Sequence, residues 1–272
     1  MLFALTLVDH ESQNPTTVDC AVPFSHRWKL VAPCGTISPV LISFDSDRPS
    51  SSPFIERVWS CHSEAGGNFL AVASVHWELV VTRLTGETIV TLHGPETRPR
   101  EVYCPPNGEW FAIRFKAGTF MPGLPVHRLA DGNDVNLAPA FRGRFRLNGS
   151  AWEIPDEDNA EVFVNRMVRR GLLTRDAAVA AQLAGDAQAV NTRTAQRHFL
   201  FATGMSHTAL KQIERARFAT QLLREGLPPI DVAHDAGYFD QAHLTRSLRK
   251  LIGLTPGSIA REERQLSFLY KT

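Results

Sequence analysis

The chain has 272 residues, of which 43% are hydrophobic and 21% charged, a composition typical of one or two globular domains. No segment approaches the roughly 20 consecutive apolar residues of a membrane helix, and the first residues lack the basic start of a secretory signal, so we expect a cytoplasmic protein without a membrane partner. The net charge of +1 is unevenly distributed, because residues 180–272 carry +4 and the rest of the chain carries −3. A nucleic-acid partner is therefore expected to bind the last third.

The first half of the chain predicts β-structure. Residues 1–50 are rich in Pro, Ser and Thr and predict little regular structure. The runs 68–84 and 88–95 are rich in β-branched and aromatic residues and are separated by a Thr-Gly-Glu turn, which favours a hairpin. A further strand over 109–118 alternates apolar and polar residues. We therefore expect a β-rich domain over residues 1–150.

The pattern changes after Pro155. A helix is predicted to begin at Asp156, with acidic residues 156–158 in its first turn and apolar residues at helical spacing up to Gly171. Beyond Gly171 only short helices joined by tight turns are predicted. The predicted fold class is α+β. A β-rich, sensor-like domain over 1–150, for effector binding or dimerisation, precedes an all-α domain over 156–265. We expect the second domain to hold two helix-turn-helix motifs joined by a linker helix.

The more specific of these motifs covers residues 229–256. Gly237 allows a sharp turn, because a side chain in a left-handed conformation would cost roughly 1 kcal/mol. Asp240 is a good N-cap for the next helix, which has a leucine stripe and an opposite face that suits a major groove. The leucine stripe comprises Leu244, Leu248 and Leu251, and the outer face comprises Ala242, His243, Arg246, Arg249 and Lys250.

A segment upstream repeats this plan. Thr174 is predicted to cap a first helix, Gly185 to end it, and Asn191 to cap a reading helix that ends near residue 203. The apolar stripe of that helix comprises Ala195, Phe199 and Ala202, and its outward residues are Arg193, Gln196 and Arg197. Ser206 opens a linker helix to about Arg224, which spans about 27 Å, while successive major grooves on one DNA face lie about 34 Å apart.

At these motifs the chain resembles the AraC/XylS family of bacterial transcription regulators, over about residues 158–262. The residues that carry the resemblance are Arg193, Arg197, Phe199, Arg215, Ala219, Leu222, Leu223, Ile230, Val232, Ala233, Gly237, Tyr238, His243, Leu244, Arg246, Gly253, Leu254, Thr255 and Pro256. The resemblance implies that the third helix of each motif reads DNA. The residues implied are Arg193, Gln196, Arg197, Gln241, Ala242, His243, Thr245 and Arg246, and we predict a phosphate contact by Arg249.

The chain departs from this family at three positions, where Asn191, Ala195 and Leu248 replace the usual residues. Four segments of the first half look like the sensor half of one branch of the family, which implies an effector-binding or association domain; they are residues 56–61, 76–81, 110–120 and 150–161. We expect double-stranded DNA and RNA polymerase as partners of an activator, and a small-molecule effector or a second copy as partners of the first half.

Several residues of the first half allow two interpretations. Glu78 could be a buried carboxylate that holds an effector, but we predict a solvent-facing strand residue. Three tryptophans could line a pocket, but we predict that they fill the core. Three histidines could bind a metal, but we predict that they do not. The tryptophans are Trp59, Trp77 and Trp110, and the histidines are His62, His76 and His93.

No motif predicts catalysis or a cofactor, and the four cysteines lack the CxxC spacing of a metal or redox site, so we expect free thiols.

Two rival functions stay open. One is a β-rich enzyme of the cupin type fused to a DNA-binding tail, and the other is an interaction protein whose helical half binds protein.

Overall fold

The structure is a computed structural model, and it describes residues 41–184, 193–261 and 266. Its first half is built on a six-stranded antiparallel sheet with the strand order β1-β2-β7-β4-β5-β9. These strands are β1 (Ser43–Pro49), β2 (Ile55–His62), β4 (Glu78–Leu84), β5 (Glu87–His93), β7 (Glu109–Phe115) and β9 (Val135–Leu137). The α+β class, with a β-rich first half and a helical second half, is thereby confirmed.

Smaller sheets surround this one. A two-stranded ribbon pairs β3 with β6, a second pair joins β8 to β13, and a three-stranded sheet has the order β10-β11-β12. Their bounds are β3 (Gly67–Ala71), β6 (Arg100–Cys104), β8 (Thr119–Phe120), β10 (Pro139–Ala140), β11 (Arg144–Leu147), β12 (Ser150–Glu153) and β13 (Thr174–Arg175), and a short 3-10 helix covers Val126–Arg128.

The main sheet buries one face in an apolar core. Successive side chains of a strand point to opposite faces, so Leu79 and Val81 of β4 enter the core while Glu78 and Val80 point to the other side. Helix α1 (Ala160–Arg169) packs on the core face through Phe163 and other apolar residues. The opposite face of the sheet lines a cavity covered by the β3–β6 ribbon.

The run 68–84, predicted to be β-structure, contains parts of two strands that belong to different sheets. Strand β3 ends at Ala71, and the main sheet receives the chain again only at Glu78. The residues between them change partner: Val72 and Val75 are buried in the core of the helical half, and Trp77 stacks on Phe115 with ring centroids 4.0 Å apart. Residues of this apolar run are therefore buried in two different cores. The composition of the run does not show which residues enter which core.

Two further predictions for this half were wrong in detail. Regular structure begins within the first 50 residues, because β1 pairs with β2 from Ser43 onward, while residues 1–40 lie outside the described residues. Helix α1 begins at Ala160 and not at Asp156. The Asp156 carboxylate accepts hydrogen bonds from the backbone N–H groups of Asp158 and Asn159, which makes a turn before the helix.

The helical half contains six helices among the described residues. They are α2 (Ala177–Leu183), α3 (Arg193–Thr203), α4 (His207–Arg224), α5 (Pro229–Asp235), α6 (Gln241–Leu251) and α7 (Pro256–Ala260). Their apolar faces share one core, in which Ile213 and Ala216 of α4 lie with Leu244 and Leu248 of α6. No helix in the described part of the chain is long and apolar enough to cross a membrane.

The two halves are packed against each other. The backbone N–H of Ala73 donates to the carbonyl of Leu251 at 2.9 Å, and Leu70, Val72 and Val75 lie in the helical core. On α3, Phe201 meets Phe120 of β8 edge to face, with centroids 5.2 Å apart. Helix α1 shares the core of the main sheet, and β13 pairs with β8 of the β-rich half.

Candidate nucleic-acid interface

The second helix-turn-helix motif is formed by α5 and α6. Pro229 occupies the first turn of α5, where its missing N–H costs no hydrogen bond, and Gly237 adopts a φ of +68° in the turn. The Asp240 carboxylate accepts a hydrogen bond from the His243 N–H at 2.6 Å, which confirms the predicted N-cap. Leu244 and Leu248 are fully buried, so the predicted leucine stripe anchors α6.

The opposite face of α6 is open to solvent. Among its predicted contact residues, Gln241, Ala242, Arg246 and Arg249 are exposed, and His243 and Thr245 are half-buried. The His243 ring stands perpendicular to Tyr238 at 5.2 Å, and the Thr245 hydroxyl donates to the Gln241 carbonyl at 2.8 Å. These two side chains therefore also support the turn and the helix, whereas the two arginines project freely from its surface.

Arg215 ties this motif to the linker helix α4. Its guanidinium carbon lies 4.4 Å from the centre of the Tyr238 ring, a cation–π contact, and its Nη1 donates to the Gly237 carbonyl at 3.2 Å. Sequence reasoning matched Arg215 to the family but gave it no role. Its contacts fix the position of the turn, and so of α6, relative to α4.

The first motif is formed by α2 and α3. Asp176 caps α2 by accepting hydrogen bonds from the backbone N–H groups of Ala178 and Val179, so the prediction of Thr174 as the cap was wrong. Thr174 instead pairs with Phe120 between β13 and β8. The predicted ends at Gly185 and Asn191 lie outside the described residues.

Helix α3 presents its predicted polar face to solvent. Arg193, Gln196 and Arg197 are all exposed, while Phe199 and Ala202 are buried. The third predicted apolar position, Ala195, is half-buried. Exposed residues therefore gather on the first turns of α3, and its later turns contact the β-rich half through Phe201.

The linker helix α4 joins the two motifs as predicted. The Ser206 hydroxyl accepts a hydrogen bond from the Ala209 N–H at 3.2 Å, and the helix ends at Arg224 after 18 residues. At a rise of about 1.5 Å per residue it spans about 27 Å. One rigid helix therefore sets the separation between α3 and α6.

Glu78 faces the cavity of the first half, so the prediction of a solvent-facing strand residue was wrong. It forms an ion pair with Arg114 on the neighbouring strand, and only 15% of its side chain is exposed. Burial opposes its ionisation, but Arg114 outweighs that effect and lowers the pKa of the Glu78 carboxyl. The charged pair is thus a fixed part of the cavity wall.

The prediction that the tryptophans fill the core holds for Trp77 and was wrong for the other two. Trp59 and Trp110 line the cavity, whereas Trp77 is buried in the core and donates its Nε1–H to the Thr119 carbonyl at 2.6 Å.

The three histidines each lie beside a different carboxylate and do not meet. The pairs are His62 with Asp45, His76 with Glu56, and His93 with Asp134. No group of three metal-binding side chains occurs within the described residues.

Arg217 of α4 also lines this cavity, although sequence reasoning did not single it out. Desolvation lowers its pKa to about 10, and the charge of Arg114 acts in the same direction, while Glu56 and Glu78 partly offset both. The linker helix of the DNA-binding half thereby contributes a charged side chain to a cavity of the β-rich half. No sequence signal could have revealed this, because it depends on how the halves pack.

Comparison with known proteins supports the assignment of the helical half. A family model described as a helix-turn-helix domain matches residues 185–262, a span that contains α3 to α7. Searches of curated proteins and of solved structures found no match. The matched family is one of DNA-binding regulatory domains and not of enzymes. Residues 185–262 are therefore a helix-turn-helix domain, which supports a DNA-binding transcription regulator and is consistent with the AraC/XylS family that the sequence resembles.

Proposed function

We propose that the chain binds double-stranded DNA at a specific sequence and reads two adjacent major grooves, one with α3 and one with α6. The observation that carries this proposal is the pair of exposed polar faces on two helices joined by α4. A span of about 27 Å is close to the roughly 34 Å between successive grooves, and bending of the DNA would close the difference.

The side chains on these faces suit base recognition. Arginine can donate two hydrogen bonds to guanine, and glutamine can pair with adenine. Arg246 and Gln196 are exposed and available for such contacts, and the small Ala242 lets the backbone of α6 approach the base edges. Arg249, one turn further along α6, suits a phosphate.

Control by the β-rich half is the second part of the proposal. That half touches α3 directly and shares a cavity wall with α4, so a molecule bound there can favour one arrangement of the two motifs. In the cytoplasm, RNA polymerase would be the partner of the DNA-bound activator. A second copy of the chain would associate through the β-rich half. We propose no enzymatic activity.

Selection of DNA from a random pool with the purified chain tests the function. We expect enrichment of a site with two short boxes about one helical turn apart. Absence of any enriched sequence, together with no DNA binding at low salt, would contradict the proposal and favour the protein-interaction alternative. A stoichiometric transition metal in the purified protein would favour the enzyme alternative.

A further inference from the structure

Phe239 is the most exposed large hydrophobic residue in the part of the chain that the structure describes, with 92% of its surface open to solvent. It lies in the turn of the second motif, directly before the Asp240 cap of α6. Single exposed apolar side chains are common on protein surfaces, and what distinguishes Phe239 is its place at the start of a predicted reading helix.

Phe239 does not have the structural role that is usual for an apolar residue at this position. A hydrophobic residue directly before an N-cap commonly packs against the fourth residue of the helix, an arrangement called a hydrophobic staple. That fourth residue is Leu244, which is fully buried in the core of the helical half, whereas the Phe239 ring is almost fully exposed. The ring therefore adds nothing to the core.

The backbone that carries this ring is fixed on both sides. Tyr238 is buried, and its hydroxyl is hydrogen-bonded to the Ser247 hydroxyl at 3.2 Å. The N–H of Phe239 donates to Nδ1 of His243 at 3.4 Å, and the Asp240 carboxylate accepts from the His243 N–H. The ring is thus presented at a defined place, and only its own side-chain torsions have to be ordered when it meets a partner.

The ring lies at the end of α6 that enters the major groove in the proposed complex. In helix-turn-helix complexes the N-terminal residues of the reading helix contact base edges. Gln241 and Ala242, the first two residues of α6, follow Phe239 closely and are also exposed. A phenyl ring forms no ordinary hydrogen bond, and the apolar group that base pairs present in the major groove is the 5-methyl group of thymine.

The surroundings of the ring favour DNA over a protein partner. Surfaces that bind proteins commonly carry contiguous apolar patches. Phe239 is followed by the exposed polar residues Asp240 and Gln241, and the other exposed large apolar residue of this motif, Ile230, lies in the first turn of α5, at the far end of that helix from the turn. One isolated ring among polar side chains suits a single methyl group.

We propose that Phe239 packs against the 5-methyl group of a thymine in the box read by α6, and so helps to specify that base pair. This inference rests on the proposed function, because it requires α6 to enter a major groove. The polar side chains of α6 recognise bases through hydrogen bonds, whereas Phe239 recognises thymine through apolar contact.

Deoxyuridine in place of thymidine tests the contact, because the two differ only in the 5-methyl group. Each thymine of the selected site is replaced in turn, and the affinity of the original chain and of Phe239→Ala is measured. At one thymine we expect about a two- to fivefold loss for the original chain, the size expected for one buried methyl group, and less than about 1.5-fold for Phe239→Ala. On the unmodified site, Phe239→Ala should bind about threefold or more weakly.

Phe141→Ala is the matched control. Phe141 is 81% exposed and lies between β10 and β11 of the β-rich half, so its replacement should leave both the affinity and the response to uracil unchanged. Phe239→Leu keeps an apolar side chain, and should bind more tightly than Phe239→Ala and retain a response to uracil. Thermal unfolding of Phe239→Ala should match that of the original chain, because the ring lies outside the core.

The outcomes separate this inference from the proposed function. If Phe239→Ala binds the selected site as tightly as the original chain, or if no thymine shows a uracil response that depends on Phe239, the inference is overturned and the proposed function stands. A marked loss of thermal stability in Phe239→Ala would also overturn it, because the ring would then pack on the protein. If the original chain enriches no DNA sequence, the proposed function fails and this inference fails with it.

Discussion

Arg246 and Arg249 lie nearly one turn apart on the exposed face of α6, yet we expect them to contact different parts of DNA. Arg246 is placed in the middle of the helix, where it faces the groove if α6 enters it. Arg249 is one turn nearer the C-terminus, where the helix leaves the groove and phosphates are closer. Base contacts discriminate sequences and phosphate contacts do not, so the two substitutions should be distinguishable.

Replacement of Arg246 by alanine should lower affinity for the selected site by about 1–3 kcal/mol, because a bidentate contact to guanine is lost. The discrimination should relax at one base pair only. Binding to a panel of single-base variants of the site measures both effects. A variant that binds the selected site as tightly as the original protein would rule out this role.

Replacement of Arg249 by alanine should weaken binding to all sequences by a similar factor. The slope of log K against log salt should become shallower by about 0.9, which is the contribution of one neutralised phosphate. Titration with a specific and a nonspecific duplex at several salt concentrations measures this slope. An unchanged slope would exclude the phosphate contact.

Single elements hold these side chains in place through local contacts. The cap of α6 is one such contact, since the Asp240 carboxylate satisfies the His243 N–H at the start of the helix. The ion pair between Arg48 of β1 and Glu161 of α1 is another, at 2.7 Å, and it fastens the edge of the main sheet to the helix behind it. Both contacts can be removed without opening the core.

Asp240→Ala should destabilise the fold by about 1 kcal/mol through loss of the N-cap. DNA affinity should fall as well, because the first turn of α6, including Gln241 and Ala242, would fray. Asp240→Asn preserves a capping oxygen and serves as the control, with stability close to the original. Urea unfolding and DNA titration measure the two effects, and equal stability of the alanine and asparagine variants would contradict the capping role.

The Arg48–Glu161 pair predicts a pH dependence of stability. The hydrogen bond from Arg48 lowers the pKa of Glu161 from 4.5 to about 2, with a further contribution from Ser50. A carboxyl whose pKa is lower in the folded state stabilises the fold above its unfolded value, and this contribution is lost as pH falls from about 4.5 towards 2.

The side chains of Arg48 and Glu161 are 40% and 31% exposed, so solvent screening limits the contribution to about 1 kcal/mol or less. The original chain should lose unfolding free energy between neutral pH and about pH 3. In Glu161→Gln this loss should be smaller by about 1 kcal/mol or less. Arg48→Gln should reduce it similarly. If both variants kept the pH dependence of the original chain, the pair would not account for it.

At the scale of the whole molecule, the packing of the two halves is the feature on which the proposed regulation depends. Gly204, at the end of α3, has a φ of +79°, and a Cβ there would come within 2.8 Å of Pro95 and 3.0 Å of Val126 in the β-rich half. The close approach of α3 to that half therefore requires glycine at this position.

Gly204→Ala should cost more stability than backbone strain alone. Gly226, at the end of α4, has a φ of +90°, and no atom of the described residues lies within 4 Å of its Cβ position, so Gly226→Ala provides the strain without the clash. We expect about 1 kcal/mol for Gly226→Ala and an additional 1–3 kcal/mol, roughly, for Gly204→Ala. Equal values from urea unfolding would show that the halves are not packed at this point in solution.

The sequence by itself determined the elements that are encoded within a few residues. The cap at Asp240, the turn at Gly237 and the leucine stripe of α6 rest on hydrogen bonds and periodicities between near neighbours, and the structure has them as predicted. The hairpin between β4 and β5 was predictable for the same reason. The cap of α2 was missed because two residues suitable as caps, Thr174 and Asp176, lie only two positions apart.

Only the tertiary structure decided which surfaces meet. Strand pairing placed Glu78 opposite Arg114, and it divided the run 68–84 between two cores. Packing of the halves brought Arg217 from α4 to the cavity of the β-rich half. These partners are far apart along the chain, so their contacts depend on the free energy of the whole fold, and the local pattern around each residue is compatible with several environments.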